Sequence, residues 1–169
     1  MKLLGRLMRL ARRSPAMIGT VSWTACRDGH VVRKGQFSNK VIQSAIAPYM
    51  LTLAGTETAT LPITHIGWGA GLTPTNALTH PLPGWSGPME DPRLIKPCTV
   101  TVMAPNRVRF GYEMRTTEGN DFSPTEWALL QEVEPDVYQL FSRVVRADFR
   151  KDSMISYTGA WELELLTDV

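Results

Sequence analysis

Hydrophobic and polar positions along this 169-residue chain follow two different periods. At ~100° per residue, Leu3, Leu4, Leu7, Met8, Leu10 and Ala11 share one face of a helix over residues 2–14. Lys2, Arg6, Arg9 and Arg13 gather on the opposite face. Ser14-Pro15 ends the pattern, because a residue before proline avoids helical backbone. So short a helix is marginal in water and is expected to order only against a partner surface. From residue 17 the period becomes two. Val21 and Trp23 alternate with Thr20, Ser22 and Thr24, Asp28-Gly29 marks a two-residue turn, and His30 to Phe37 returns, which predicts a hairpin over 17–37. Helical spacing reappears within 39–54 through Val41, Ile42, Ala45 and Ile46. Pro48 interrupts that stretch or starts a second short helix, and Gly55 is a natural stop. A further strand is predicted over 60–67.

Residues 73–97 are rich in proline and glycine, from Pro74 through Pro81, Pro83, Gly84, Gly87, Pro88 and Pro92 to Pro97. Such a stretch reads as a functional loop or extended arm. Trp85 within it either pins the loop to its own domain or anchors an interface. The clearest alternation follows. Val100 and Val102 alternate with Thr99 and Thr101, Pro105-Asn106 makes a turn, and Val108, Phe110, Tyr112 and Met114 alternate with Arg107, Arg109, Gly111 and Glu113. Gly119-Asn120-Asp121 is a turn, 125–130 and 138–145 read as strands, and Trp161, Leu163 and Leu165 alternate with Glu162 and Glu164. About seven or eight short strands at this spacing predict a mainly β, antiparallel β-sandwich over 17–169, with one helical excursion. A basic amphipathic N-terminal helical arm occupies 1–16 in this reading. Val100, Val102, Phe110, Tyr112, Trp161 and Leu163 are expected in the core.

Composition changes this picture little. An apolar fraction of 43% and a charged fraction of 20% are ordinary for one globular domain. The net charge of +2 conceals an asymmetry: residues 1–27 carry +6 and no acid, leaving −4 on the rest. A basic arm on a mildly acidic body is an interaction signature. No stretch is long and apolar enough to span a bilayer, and arginines interrupt every candidate signal-peptide core. Cys26 and Cys98 read as two separate core thiols rather than a disulfide.

Candidate chemistry is sparse. Gly67-Trp68-Gly69-Ala70-Gly71 lacks dinucleotide-loop spacing and meets Pro74 where that motif needs a helix, so it reads as a turn at a strand end. His30, His65 and His80 lack metal-ligand spacing. Glu118 and Asp121 flank a turn and could touch a hard cation, but the calcium-loop pattern is absent. Glu90-Asp91 reads as solvated, and no serine sits in a nucleophile elbow. No catalytic, cofactor or metal site is therefore expected. The basic helix is the motif with chemical character. Its candidate interaction residues are Leu3, Arg6, Leu7, Arg9, Leu10, Arg12 and Arg13, joined by Trp85. It could dock on a partner protein, lie on an anionic membrane, touch nucleic acid, act as a targeting presequence or fold onto its own domain.

The run from Thr64 to Leu78, "THIGWGAGLTPTNAL", resembles a segment of small bacteriophage virion structural proteins, where a strand ending in "THIALGxG" is followed by a Pro/Thr turn and an "xAL" segment. Further features follow the same order: Asp28-Gly29; Asn39; the hairpin 100–114; Glu126-Trp127-Ala128-Leu129-Leu130 for "E-x-GLF"; Leu140-Phe141-Ser142-Arg143 for "LFAR"; Lys151; and the strand 161–165. The order spans residues 19–166. Two features depart from the pattern, the long loop before Arg93 and the basic helix. The resemblance implies a non-enzymatic virion component of the tail, baseplate or fibre-attachment kind, or alternatively a capsid decoration protein. It would assemble in the host cytoplasm and contact other virion proteins and copies of itself. Nucleic acid binding through the arm is the rival from another class.

Overall fold

The structure, a computed structural model, describes residues 16–40, 61–72, 89–146 and 150–166. Among these residues there are nine strands and no helix. They are β1 (Ala16–Arg27), β2 (His30–Lys40), β3 (Ile63–Gly69), β4 (Pro92–Pro97), β5 (Thr99–Ala104), β6 (Arg107–Met114), β7 (Glu126–Glu134), β8 (Val137–Val145) and β9 (Ile155–Leu166). The predicted arm helix lies outside the described residues, as does the helical excursion beyond Lys40; Asn39 and Lys40 themselves end β2.

The strands form two antiparallel sheets, β2-β1-β9-β6-β5 and β4-β3-β7-β8. The predicted first hairpin is present. Asp28 and Gly29 both take positive φ, 50° and 79°, as a two-residue hairpin turn requires. β4 departs from expectation, because residues 92–97 form a strand where a proline-rich loop was predicted. Pro92 and Pro97 are its terminal residues on an edge strand, where a missing N–H breaks little pairing. Only Cys98 separates β4 in one sheet from β5 in the other. Its amide donates to Thr64 O at 2.9 Å and fixes the corner.

One core lies between the sheets. Val21, Trp23, Phe110, Tyr112 and Trp161 of the five-stranded sheet meet Ile66, Trp68, Trp127 and Leu129 of the other. Tyr112 sits edge-on to Trp68 at 5.6 Å and to Trp127 at 5.7 Å, and Phe37 reaches Trp127 at 6.0 Å. Such offset aromatic pairs add ~0.5–1.5 kcal/mol each beyond burial. Glycines make room for the large rings. A Cβ at Gly159 would stand 2.6 Å from the Tyr112 hydroxyl oxygen, and one at Gly35 would stand 2.6 Å from the Trp23 indole. The Tyr112 hydroxyl crosses Gly159 to donate to Ser22 O at 3.0 Å.

Phe110, Tyr112, Trp161 and Leu163 are core residues as predicted, whereas Val100 and Val102 are 54% and 73% exposed. The correction has a geometric cause. Val100 pairs with Phe110 and Val102 with Val108, so both valines share the core-facing side. The five-stranded sheet is one strand wider than its partner. β2 lies over β8, where Asn39 bonds Ser142, and Lys96 of β4 reaches Glu113 O on β6. β5 is left overhanging.

Candidate functional site

The glycine run of β3 turns out to be half of a buried clamp. Glu126, the first residue of β7, is completely buried on the outer side of its sheet. A Cβ at Gly71 would stand 2.5 Å from its Oε2, and one at Gly69 would stand 2.7 Å away. Both glycines are therefore required by close approach. The carboxylate accepts from the Glu90 amide at 2.8 Å and the Asp91 amide at 3.1 Å. Arg143 of β8 donates from Nε to Glu126 Oε1 at 2.7 Å and from a terminal nitrogen to Glu90 Oε2 at 2.7 Å. Taking this ion pair out of water is offset by these four hydrogen bonds, the condition under which a buried pair holds.

The clamp joins both ends of the segment between Leu72 and Met89. The Ala70 amide donates to Asp91 O at 3.0 Å, and the Thr125 hydroxyl donates to Gly71 O at 3.1 Å. Met89 then plugs a small second apolar cluster with Ala128, Leu130 and Leu140 on the outside of the four-stranded sheet. Gly67 is open there because the Met89 sulfur occupies the place of its side chain. Residues 73–88, including Trp85, lie outside the described residues, and so do Leu3, Arg6, Leu7, Arg9, Leu10, Arg12 and Arg13. The fold thus describes none of the predicted interaction residues. It describes the frame from which the 73–88 segment departs and to which it returns.

Other candidate groups serve the scaffold. His65 stacks edge-on with Tyr138 at 4.9 Å, with the Thr64 hydroxyl 2.8 Å from its Nδ1. Glu118 holds Lys96 Nζ at 2.7 Å and accepts from the Arg115 amide at 2.8 Å. Burial pushes its carboxyl up, but the Lys96 hydrogen bond, the Arg115 amide and the charges of both residues outweigh it and leave the carboxyl below its ordinary range. Glu118 is thereby committed to Lys96 rather than open to a cation. Lys151 is buried against Asn120 Oδ1 at 2.8 Å and Asp152 O at 2.8 Å, and burial lowers its ammonium pKa. Cys26 and Cys98 are unpaired and half-buried, and burial raises the Cys98 thiol to about 11. Among the described residues, no three His, Cys, Asp or Glu side chains converge on a metal position. A trough of about 1040 Å³ crosses the outer face of the five-stranded sheet, lined by Ser22, Thr24, Gln36, Arg109, Glu113 and Thr158 among others. Its lining mixes hydroxyl, amide, cationic and anionic groups.

One end of the molecule gathers exposed apolar side chains among charged ones. The register puts Ala16 opposite Leu166, Lys40 opposite Ile18 and Arg107 opposite Glu164, so these residues mark one end of the five-stranded sheet. Across the core, Phe37 meets Trp127 and Asn39 bonds Ser142, the partner of Leu129. Continuing along β7 past Leu129 therefore leads to the same end, where Pro135-Asp136 makes the β7–β8 turn. Eight of the thirteen exposed large apolar side chains collect there. Ile18, Val102, Met103, Leu165 and Leu166 come from the wider sheet, and Leu61, Val133 and Val137 from around the other.

No helix among the described residues is long and apolar enough to cross a membrane. No protein-family model, curated protein or solved structure matches this chain.

Proposed function

We propose that this protein is a non-enzymatic bacteriophage virion structural protein, associated with the tail, baseplate or fibre base, and that it acts through subunit interfaces. The observation that carries this reading is where the motif residues meet. The segments that resemble the virion proteins are scattered over more than a hundred positions, yet four of their polar members are buried in two pairs. Asn39 bonds Ser142, and Glu126 grips Arg143 against Gly69 and Gly71. A clamped loop base and an apolar end face are what a protein that works by contact needs. In this reading residues 2–14 are a helix that docks outside the sandwich core on another copy or another virion protein, with Trp85 as a second anchor. The protein would assemble in the host cytoplasm.

Mass spectrometry and antibody labelling of purified particles test the reading. Label at the tail tip, baseplate or fibre base is the expected result. Label over the head would instead assign capsid decoration, and absence from particles would overturn the virion role. The nucleic-acid rival predicts a salt-dependent DNA affinity that disappears when residues 1–13 are deleted.

A further inference from the structure

The apolar end face has an occupant in this chain's own sequence. We propose that it docks the basic segment 2–14 of a second copy, exchanged reciprocally, so that two chains join end to end about a twofold axis. This deepens the interface reading above and rests on it.

Position comes first. β1 begins at Ala16 on that same end, so the basic segment is joined to the body where the apolar side chains are exposed. Ser14 precedes Pro15 and therefore favours extended backbone. Extended backbone at Ser14 would carry the segment away from the start of β1 and toward a molecule that faces this end. Thirteen helical residues reach ~20 Å, about the width of five strands at ~4.8 Å spacing.

Chemistry matches on both sides. As a helix the segment would present Leu3, Leu7 and Leu10 on one face, and residues 1–15 carry +5 with no acid. Within the β7–β8 hairpin the only cation is Arg143, which is buried against Glu126 at the far end, and the tip carries Glu132, Glu134 and Asp136 beside exposed Val133 and Val137. The field at the tip is felt by Tyr138, whose phenol is raised by desolvation first and then by Glu132 and Asp136. At this end of the wider sheet Arg107 stands opposite Glu164, so the unbalanced acidic charge lies on the hairpin; the arginines would meet it while the leucines cover Val102 and Leu165. Because the origin of the segment and its acceptor lie on one end, the surface is self-complementary. That is the requirement for a closed twofold interface. The leucines supply buried area, while the charges set orientation and partner choice.

Light scattering on the full chain at low salt should give a dimer of twice the 18.9 kDa chain mass. Val102→Asp with Leu165→Asp should be monomeric, as should Leu3→Ser with Leu7→Ser and Leu10→Ser. Tryptophan fluorescence will show that each variant stays folded. The decisive arm uses charge reversal. Arg9→Glu with Arg13→Glu in one chain, and Glu132→Lys with Glu134→Lys in another, should each be monomeric alone. An equal mixture should recover the dimer, because both contacts in the mixed pair are again complementary. A monomeric wild type would overturn the proposal. So would a dimer that survives deletion of residues 2–14, or reversed chains that fail to rescue each other. A chain carrying all four reversals that protects its own arm while monomeric would place the segment on its own body and equally overturn it. A dimer of a protein missing from particles would keep this inference and remove the virion role; a monomer found in particles would do the reverse.

Discussion

The Glu126–Arg143 pair decides how the glycine run is understood. Taken alone, Gly67-Trp68-Gly69-Ala70-Gly71 offers only backbone freedom. In the fold two of its glycines are clearance for a carboxylate that holds two amides and a guanidinium. Replacing either Glu126 by Gln or Arg143 by Met leaves the remaining partner buried and mispaired, and each should cost about 3–5 kcal/mol in denaturant unfolding. The double replacement Glu126→Leu with Arg143→Met should recover much of that loss, because two apolar groups leave no orphaned charge. In both single variants, hydrogen exchange at the Glu90 and Asp91 amides should accelerate. Glu118 gives a pH signature. Its folded pKa lies below the ordinary 4.5, so the stability it contributes is complete above that value and is lost as pH falls through the folded pKa. The melting-temperature gap between wild type and Glu118→Gln should therefore be open at neutral pH and close on acidification below about 4.5. A gap constant with pH would remove Glu118 from the acid response.

At the scale of elements, β5 shows why alternation is not burial. Val100 and Val102 alternate with threonines as a core-facing strand should, and their pairing with Phe110 and Val108 puts them on the core side. The opposing sheet ends one strand earlier, so no layer among the described residues lies over them. Val100→Thr and Val102→Thr should each change stability by less than about 0.5 kcal/mol, as exposed positions do. Phe110→Ala, one strand inward, should cost about 3–5 kcal/mol. Comparable losses at all three positions would contradict the overhang. The β4 strand teaches the complementary lesson. Its two prolines read as loop signals, yet both fall at the ends of an edge strand, where no neighbour needs their amides.

For the whole molecule, the sequence determined what short-range physics controls. The period-two alternation of Val21-Trp23, Phe110-Tyr112 and Trp161-Leu163, with Asp28-Gly29 and Pro105-Asn106 between strands, specifies a mainly β chain of antiparallel hairpins and most of its core. Those signals are local, since side-chain direction and turn geometry depend on residues one to four apart. The concentration of positive charge in residues 1–27 was equally legible, because charge is a property of the chain itself. Only tertiary structure decided how wide each sheet is, and hence that Val100 and Val102 stand outside the core while Met89 closes a second cluster beyond it. It also decided that Glu126 and Arg143, seventeen residues apart, close on glycines more than fifty positions upstream of Glu126. The same holds for the arm and the acidic hairpin, whose sequences are complementary wherever they lie. That the start of β1, to which the arm is joined, and the acidic hairpin share one end of the molecule follows from strand register and the stacking of two sheets, and no local pattern encodes either.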